Sequence, residues 1–227
     1  LVTVVCLASC SDDPVNFVTD RDPDASATYT AEFISDWNGV DFPTNFPGNP
    51  HFSGLIGATH NNQVIFWESG QPASAGIELM SETGSKNALA SEVNFAKAEG
   101  VAEFLLSGGG ISLSPGAVEL EFDINETYPL VTLVSMLAPS PDWFIGVQDL
   151  NLFDIAVGDW KDGVTVDLLL YDAGTDSGVR FTSGNADTAS AEIISALTSE
   201  PVDTDFVNGL HGTSGKYIGR MVFTRLK

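Results

Sequence analysis

The sequence predicts an all-β fold, an antiparallel β-sandwich with one or two short helices in its connections. Three observations carry this. Val118, Leu120, Phe122 and Ile124 alternate with Glu119, Glu121 and Asp123, the period of a strand with one face in water. Leu130 to Leu137 is a nearly continuous apolar run, which suits a central strand covered on both faces. Further short apolar runs are separated by Gly, Pro, Asn and Asp turns. At 227 residues the chain is long enough for one well-cored domain.

The domain is expected to span residues 28–227. Tyr29, Ala31 and Phe33 alternate with Thr30 and Glu32, which predicts a half-buried first strand. Asp41 to Phe52 holds Pro43, Pro47, Gly48 and Pro50 and predicts a loop. Val64 to Trp67 is a short strand candidate. Leu89, Val93 and Ala96 recur at helical spacing between Gly84 and Gly100, predicting a helix over Lys86 to Ala98. Phe144 to Val147, Val164 to Leu170 and Tyr217 to Phe223 are further strand candidates, and Ala191 to Leu197 is a candidate short helix.

Charge narrows the partners. Nine Lys and Arg stand against 31 Asp and Glu, for a formal net charge of −22. Such a field repels phosphate backbones and excludes nucleic acid as a partner. It also repels an anionic membrane surface unless a divalent cation bridges the two. With 43% hydrophobic and 18% charged residues, the chain is globular rather than a disordered acidic tail. Solubility accounts for many of the carboxylates.

The N-terminus suggests an address. Leu7-Ala8-Ser9-Cys10 closes a short apolar run and resembles the lipobox of bacterial lipoproteins, so residues 1–10 are expected to be the end of a signal peptide. Cys10 is then the lipidated residue and Cys6 is lost. That leaves no cysteine for a disulfide in the domain. Residues 11–27, rich in Asp, Pro, Ser and Thr, are expected to be a flexible acidic tether. The expected location is an exported, lipid-anchored one. Ser11 rather than Asp after Cys10 favours the outer membrane.

The candidate chemistry lies in acidic loops. Asp172-Ala173-Gly174-Thr175-Asp176-Ser177-Gly178 follows the apolar run ending at Leu170. Ser140-Pro141-Asp142-Trp143 follows the run ending at Leu137. Aspartates at facing loop tips repel one another unless a cation sits between them, and calcium takes several oxygen ligands at once. The EF-hand template fails, because Gly174 and Ser183 stand where it wants an acidic residue and a glutamate. Spacing alone leaves two readings, a cation site and Asx-turns that merely cap loops.

Ala138 to Val147, the Asp172 to Gly178 string, Phe52 to His60, Trp67, Gly70 and Ala73 to Gly76 resemble, in order, the spondin N-terminal domain. The resemblance runs from about Thr28 to the end of the chain. It implies a C2-like β-sandwich similar to domains of matrix and adhesion proteins, with a calcium ion at one end. The ligands it implies are Asp142, Asp172 and Asp176. Tyr171 stands where relatives commonly carry Trp, and the disulfides of the animal members have no counterpart. The function implied is calcium-dependent binding to an extracellular or cell-surface protein or glycan.

Three alternatives remain, one of them a passive structural module in which the ion is only a staple. A carbohydrate-binding module needs exposed tryptophan near the ion; Trp143, beside Asp142, is the tentative ligand-binding residue, while Trp67 and Trp143 read more simply as packing. Trp37 and Trp160 stay open. A secreted hydrolase needs a cleft with two carboxylates, or one in contact with His60. His51, His60 and His211 lack close zinc-ligand spacing, and His60 reads as a surface or loop residue with a structural hydrogen bond. There is no Gly-x-Ser-x-Gly elbow, and Gly108-Gly109-Gly110 reads as a turn. No catalytic residue is assigned.

Overall fold

A computed structural model of the chain describes residues 25–197 and 217–227. The strands, in chain order, are β1 (Ser26–Ser35), β2 (His51–Phe52), β3 (Ile56–His60), β4 (Ala102–Ser107), β5 (Gly116–Asn125), β6 (Leu130–Ala138), β7 (Trp143–Asn151), β8 (Phe153–Asp154), β9 (Asp159–Trp160), β10 (Gly163–Leu168), β11 (Leu170–Asp172), β12 (Ser195–Ala196) and β13 (Gly219–Arg225). Two helices, α1 (Ala75–Thr83) and α2 (Asn87–Ala98), lie between β3 and β4. The signal segment, Cys10, His211 and most of the expected tether fall outside the described residues. Strand β1 starts at Ser26, slightly ahead of the expected Thr28.

One sheet has the order β10-β13-β1-β5, and the other β12-β11-β7-β6-β3-β4 with β2 also on β6. All named pairings are antiparallel. The sheets enclose a core in which Tyr29, Phe33, Phe122 and Phe223 meet Val131, Leu133, Leu137 and Ile145. A second core lies on the other face of the larger sheet, where Val134, Met136 and Phe144 pack with Ile77 and Met80 of α1 and Leu89 and Val93 of α2.

This layering explains two sequence patterns. Strand β6 is apolar on both faces because odd residues enter the first core and even ones the second. Strand β5 alternates because Glu119, Glu121 and Asp123 are exposed on one face while Phe122 and Ile124 are buried on the other. Where α1 meets α2, Gly76 is required by close approach: a Cβ there would stand 2.6 Å from the Glu92 carboxylate and 2.7 Å from Leu89 Cα.

Four expectations need correction. Val64 to Trp67 is not a strand; Phe66 and Trp67 are buried by ring contacts to His60, Phe144 and Tyr171 instead of by pairing. Ala191 to Leu197 is extended, since Ser195–Ala196 pairs with β11 and the Ile194 amide donates to Gln71. Val164 to Leu170 is split at Leu169, so that β10 joins one sheet and β11 the other; such corners let a strand change sheets. His60 is a fully buried strand residue, not a surface one.

Candidate metal centre

The acidic loops do meet at one end of the larger sheet. Asp142 immediately precedes β7, Asp172 ends β11, and the register sets Asp172 opposite Trp143. The Ala173 amide donates to the Asp142 carbonyl at 3.2 Å. Gly174 then turns the chain at φ 75°, where a side chain would strike the Glu192 backbone. Beyond it the loop is stitched to a later segment: Thr188 and Glu192 amides donate to Thr175 and Gly174 carbonyls, and Ser177 donates to Ala186.

Asp142 sits at the centre with 0% exposure. Its Oδ2 accepts the backbone N–H of Thr175 at 2.8 Å and of Asp176 at 3.1 Å, with the Thr175 hydroxyl at 3.3 Å. Its Oδ1 is buried without a hydrogen-bond partner. Burial, with the Asp172 carboxylate beside it, pushes Asp142 up to about 6 against the pull of those N–H donors. Asp172 is also raised, chiefly by burial and further by Glu192 and Asp176, while bonds from the Gly174 amide and Trp143 indole oppose this. The Gly174 amide reaches Oδ1 at 2.8 Å and the indole Nε1–H reaches Oδ2 at 3.3 Å.

Asp176 also closes its own loop. Its Oδ1 accepts the Gly178 amide and its Oδ2 the Ala186 amide, both at 2.7 Å. It staples the loop, and each carboxylate oxygen keeps a further lone pair.

Sequence reasoning missed Glu82, at the end of α1. Its Oε1 is buried and unpartnered. Its carboxyl is raised by burial, with Glu78, Asp187 and Asp142 adding repulsion against the pull of the Thr175 side chain. The Thr175 hydroxyl is directed to Asp142 Oδ2 at 3.3 Å, and its one proton cannot serve Glu82 as well. The one sequence signal was the helix itself: Ser74 caps it by accepting the Ile77 amide, Ile77 and Met80 are its buried pair, and Gly84 ends it at φ 69°.

Two buried carboxylate oxygens without partners, on acids that repel each other, form a site short of positive charge. That donor set is all hard oxygen, which suits calcium or magnesium rather than a soft metal. Among the described residues, no three His, Cys, Asp or Glu side chains are gathered into a ready-made cage.

The other expected features are placed as follows. Trp143 is fully buried, with its ring edge-on to Phe181, and offers no face to a ligand. Trp37, Trp67 and Trp160 are buried too. His60 does touch a carboxylate, Asp149 Oδ1 at 3.5 Å. Its Nδ1 meets the Asn61 carbonyl at 2.9 Å, so it carries the proton there, and its Nε2 meets Thr132 Oγ1 at 2.8 Å. His60 and Thr132 are 0% and 1% exposed, so the imidazole is sealed inside the sheet, and of the three side chains Asp149, 32% exposed, is the one that reaches solvent.

The fold and site together define a β-sandwich module whose loops at one end are ordered around a buried, charge-deficient acidic cluster. The profile of the Spondin_N family matches residues 27–208, and the chain belongs to that family. It is 33% identical to human (Homo sapiens) spondin-2 over 180 residues, covering 77% of this chain and 54% of the relative. Against Rattus norvegicus spondin-2 it is 30% identical over 210 residues, 88% of this chain and 62% of the relative. Against Rattus norvegicus spondin-1 it is 31% identical over 228 residues, 96% of this chain and 28% of the relative. The chain thus spans about half to three-fifths of the spondin-2 relatives and under a third of spondin-1. Among the described residues no helix is long and apolar enough to cross a membrane.

Proposed function

We propose that this protein is an exported, lipid-anchored binding module that takes a calcium ion at its acidic loop end and adheres through that end to an extracellular or cell-surface protein or glycan. The observation that carries the reading is Asp142: a fully buried carboxylate with one oxygen unpartnered, beside a second carboxylate. Asp142, Asp172 and Asp176 would hold the ion, with Glu82 adding an oxygen from α1.

When bound, the ion neutralises the cluster and leaves coordination positions for a ligand oxygen. The chain's own residues do the rest. Asp176 holds the loop closed on Gly178 and Ala186. Trp143 orients Asp172 through its indole N–H and seals the cluster from below. Membership of the Spondin_N family supports an adhesion-type role, and the Cys10 lipobox supports anchoring. The burial of all four tryptophans removes the stacking platform that a tryptophan-based sugar site requires, so protein or metal-bridged glycan is the favoured ligand.

Thermal unfolding with calcium and with chelator tests the site. Calcium should raise the unfolding temperature of the wild type, and Asp176→Ala should lose part of that gain. An unfolding temperature that ignores chelator would remove the physical basis of the proposal. A glycan and matrix-protein array, run with and without calcium, then identifies the ligand class. Metabolic labelling with palmitate, abolished by Cys10→Ser, checks the anchor.

A further inference from the structure

Far from the acidic loop tips in sequence, a groove of about 650 Å³ runs between α2 and residues 63–66. Val64, Ile65, Phe66, Phe95 and Val101 supply its apolar lining. The core-facing residues of α2 are Leu89, Val93 and Ala96, so Phe95 is not needed to hold the helix down. It is 69% exposed, and Ile65 on the opposite wall is 54% exposed. Large apolar side chains facing one recess from two walls mark an interaction surface.

The charge around this groove has one sign. The charged residues lining it are Glu92 and Glu99. With Phe95 they follow one stripe of α2 that ends at its capping residue, Glu99. Glu92 is fixed there, accepting the Ser74 hydroxyl at 2.8 Å and the Gly76 amide at 2.7 Å. This acid–aromatic–acid stripe selects among occupants by charge. A second copy would bring another net −22. Residues 11–24 carry Asp12, Asp13, Asp20, Asp22 and Asp24 against Arg21, and residues 198–216 carry Glu200, Asp203 and Asp205 against Lys216. All of these repel the rim, as does an anionic membrane.

We propose that the groove docks a basic amphipathic segment of another protein, with apolar side chains seated between Ile65 and Phe95 and Lys or Arg meeting Glu92 and Glu99. This is helix-in-groove recognition. It uses no residue of the acidic loop end and does not depend on calcium there.

The test uses the full chain and a fluorescein-labelled model peptide of about 14 residues with Leu and Lys at helical spacing. One control peptide has Glu in place of Lys, and another has Ser in place of Leu. Fluorescence anisotropy should show binding of the Leu/Lys peptide that weakens with salt. Both controls, and the double variant Ile65→Ser, Phe95→Ser, should lose about tenfold or more in affinity. Both substituted positions are exposed, so circular dichroism and unfolding temperature should match the wild type. Glu119→Gln with Glu121→Gln, on the open face of β5, should leave binding unchanged. Equal binding by the double variant, or by the Ser-for-Leu peptide, overturns the proposal in favour of general attraction to an acidic protein. Sedimentation that shows self-association lost in Phe95→Ser overturns it in favour of a second copy. Binding of neutral or anionic vesicles lost in the same variant overturns it in favour of a membrane.

Discussion

Replacing Asp142 by Asn should make this protein more stable without calcium and less responsive to it. The magnitude follows from the carboxyl, which burial and Asp172 push from 3.8 to about 6. Each pH unit of displacement is worth about 1.4 kcal/mol, so ionising Asp142 in the cation-free fold at neutral pH costs about 3 kcal/mol. The folded state holds this proton longer than the unfolded chain does. Stability is therefore fully present below 3.8 and is lost as pH rises through about 6. An Asn oxygen can still accept the Thr175 and Asp176 amides, and its NH2 can face the Asp172 carboxylate. In chelator, Asp142→Asn should then gain about 1–3 kcal/mol at neutral pH, or roughly 2–12 °C for a domain of this size. Saturating calcium at about 100 times Kd returns about 2.7 kcal/mol to the wild type and little to the variant. Scanning calorimetry in chelator and in calcium, over pH 4 to 7, reads both effects. A variant less stable than wild type in chelator, or a wild type whose stability relative to the variant does not fall between pH 4 and 6 in chelator, would refute the reasoning.

Other outcomes follow from the same geometry. Glu82→Gln should weaken calcium binding by about tenfold in calorimetric titration. Asp176→Asn should instead lower the unfolding temperature with or without calcium, because an amide NH2 cannot accept one of the two N–H bonds from Gly178 and Ala186. His60 is held neutral, burial lowering it from 6.5. The unfolded chain binds that proton first, so stability present at neutral pH is lost as pH falls below 6.5. In saturating calcium, His60→Gln should flatten this slope in urea midpoints. A Cβ on Gly57 would stand 1.9 Å from the Thr132 carbonyl oxygen across β3 and β6, so Gly57→Ala should cost about 3 kcal/mol or more by urea denaturation.

Patterns that report burial on a regular period were legible in the sequence. The alternation of β5, the apolar run of β6 and the Leu89, Val93, Ala96 spacing of α2 each lie where periodicity puts them. Helix α1 is hard to read from the sequence because its apolar signal is short, Ile77 and Met80, although Ser74 and Gly84 mark both its ends. Val64 to Trp67 reads as a strand because apolar runs carry no information on what covers them. Here the cover is Phe144, Tyr171 and His60 rather than a paired strand.

The acidic end divides the same way. The Asp172 to Gly178 string and Asp142 stood out by residue type and spacing, and they do meet. Their roles were not legible. Spacing treats Asp142, Asp172 and Asp176 alike, while the fold buries Asp142 with an orphan oxygen, ties Asp172 to an indole and spends Asp176 on two amides. Glu82, remote in sequence, joins them because α1 packs on the larger sheet. By itself the sequence determined the β class, the acidic charge and which loops carry carboxylates, since these depend on local period and composition, and it pointed to the family through the strings that resemble it. Only the tertiary structure decided which carboxylate oxygens are left without donors, because that depends on which backbone N–H groups the folded loops bring within reach.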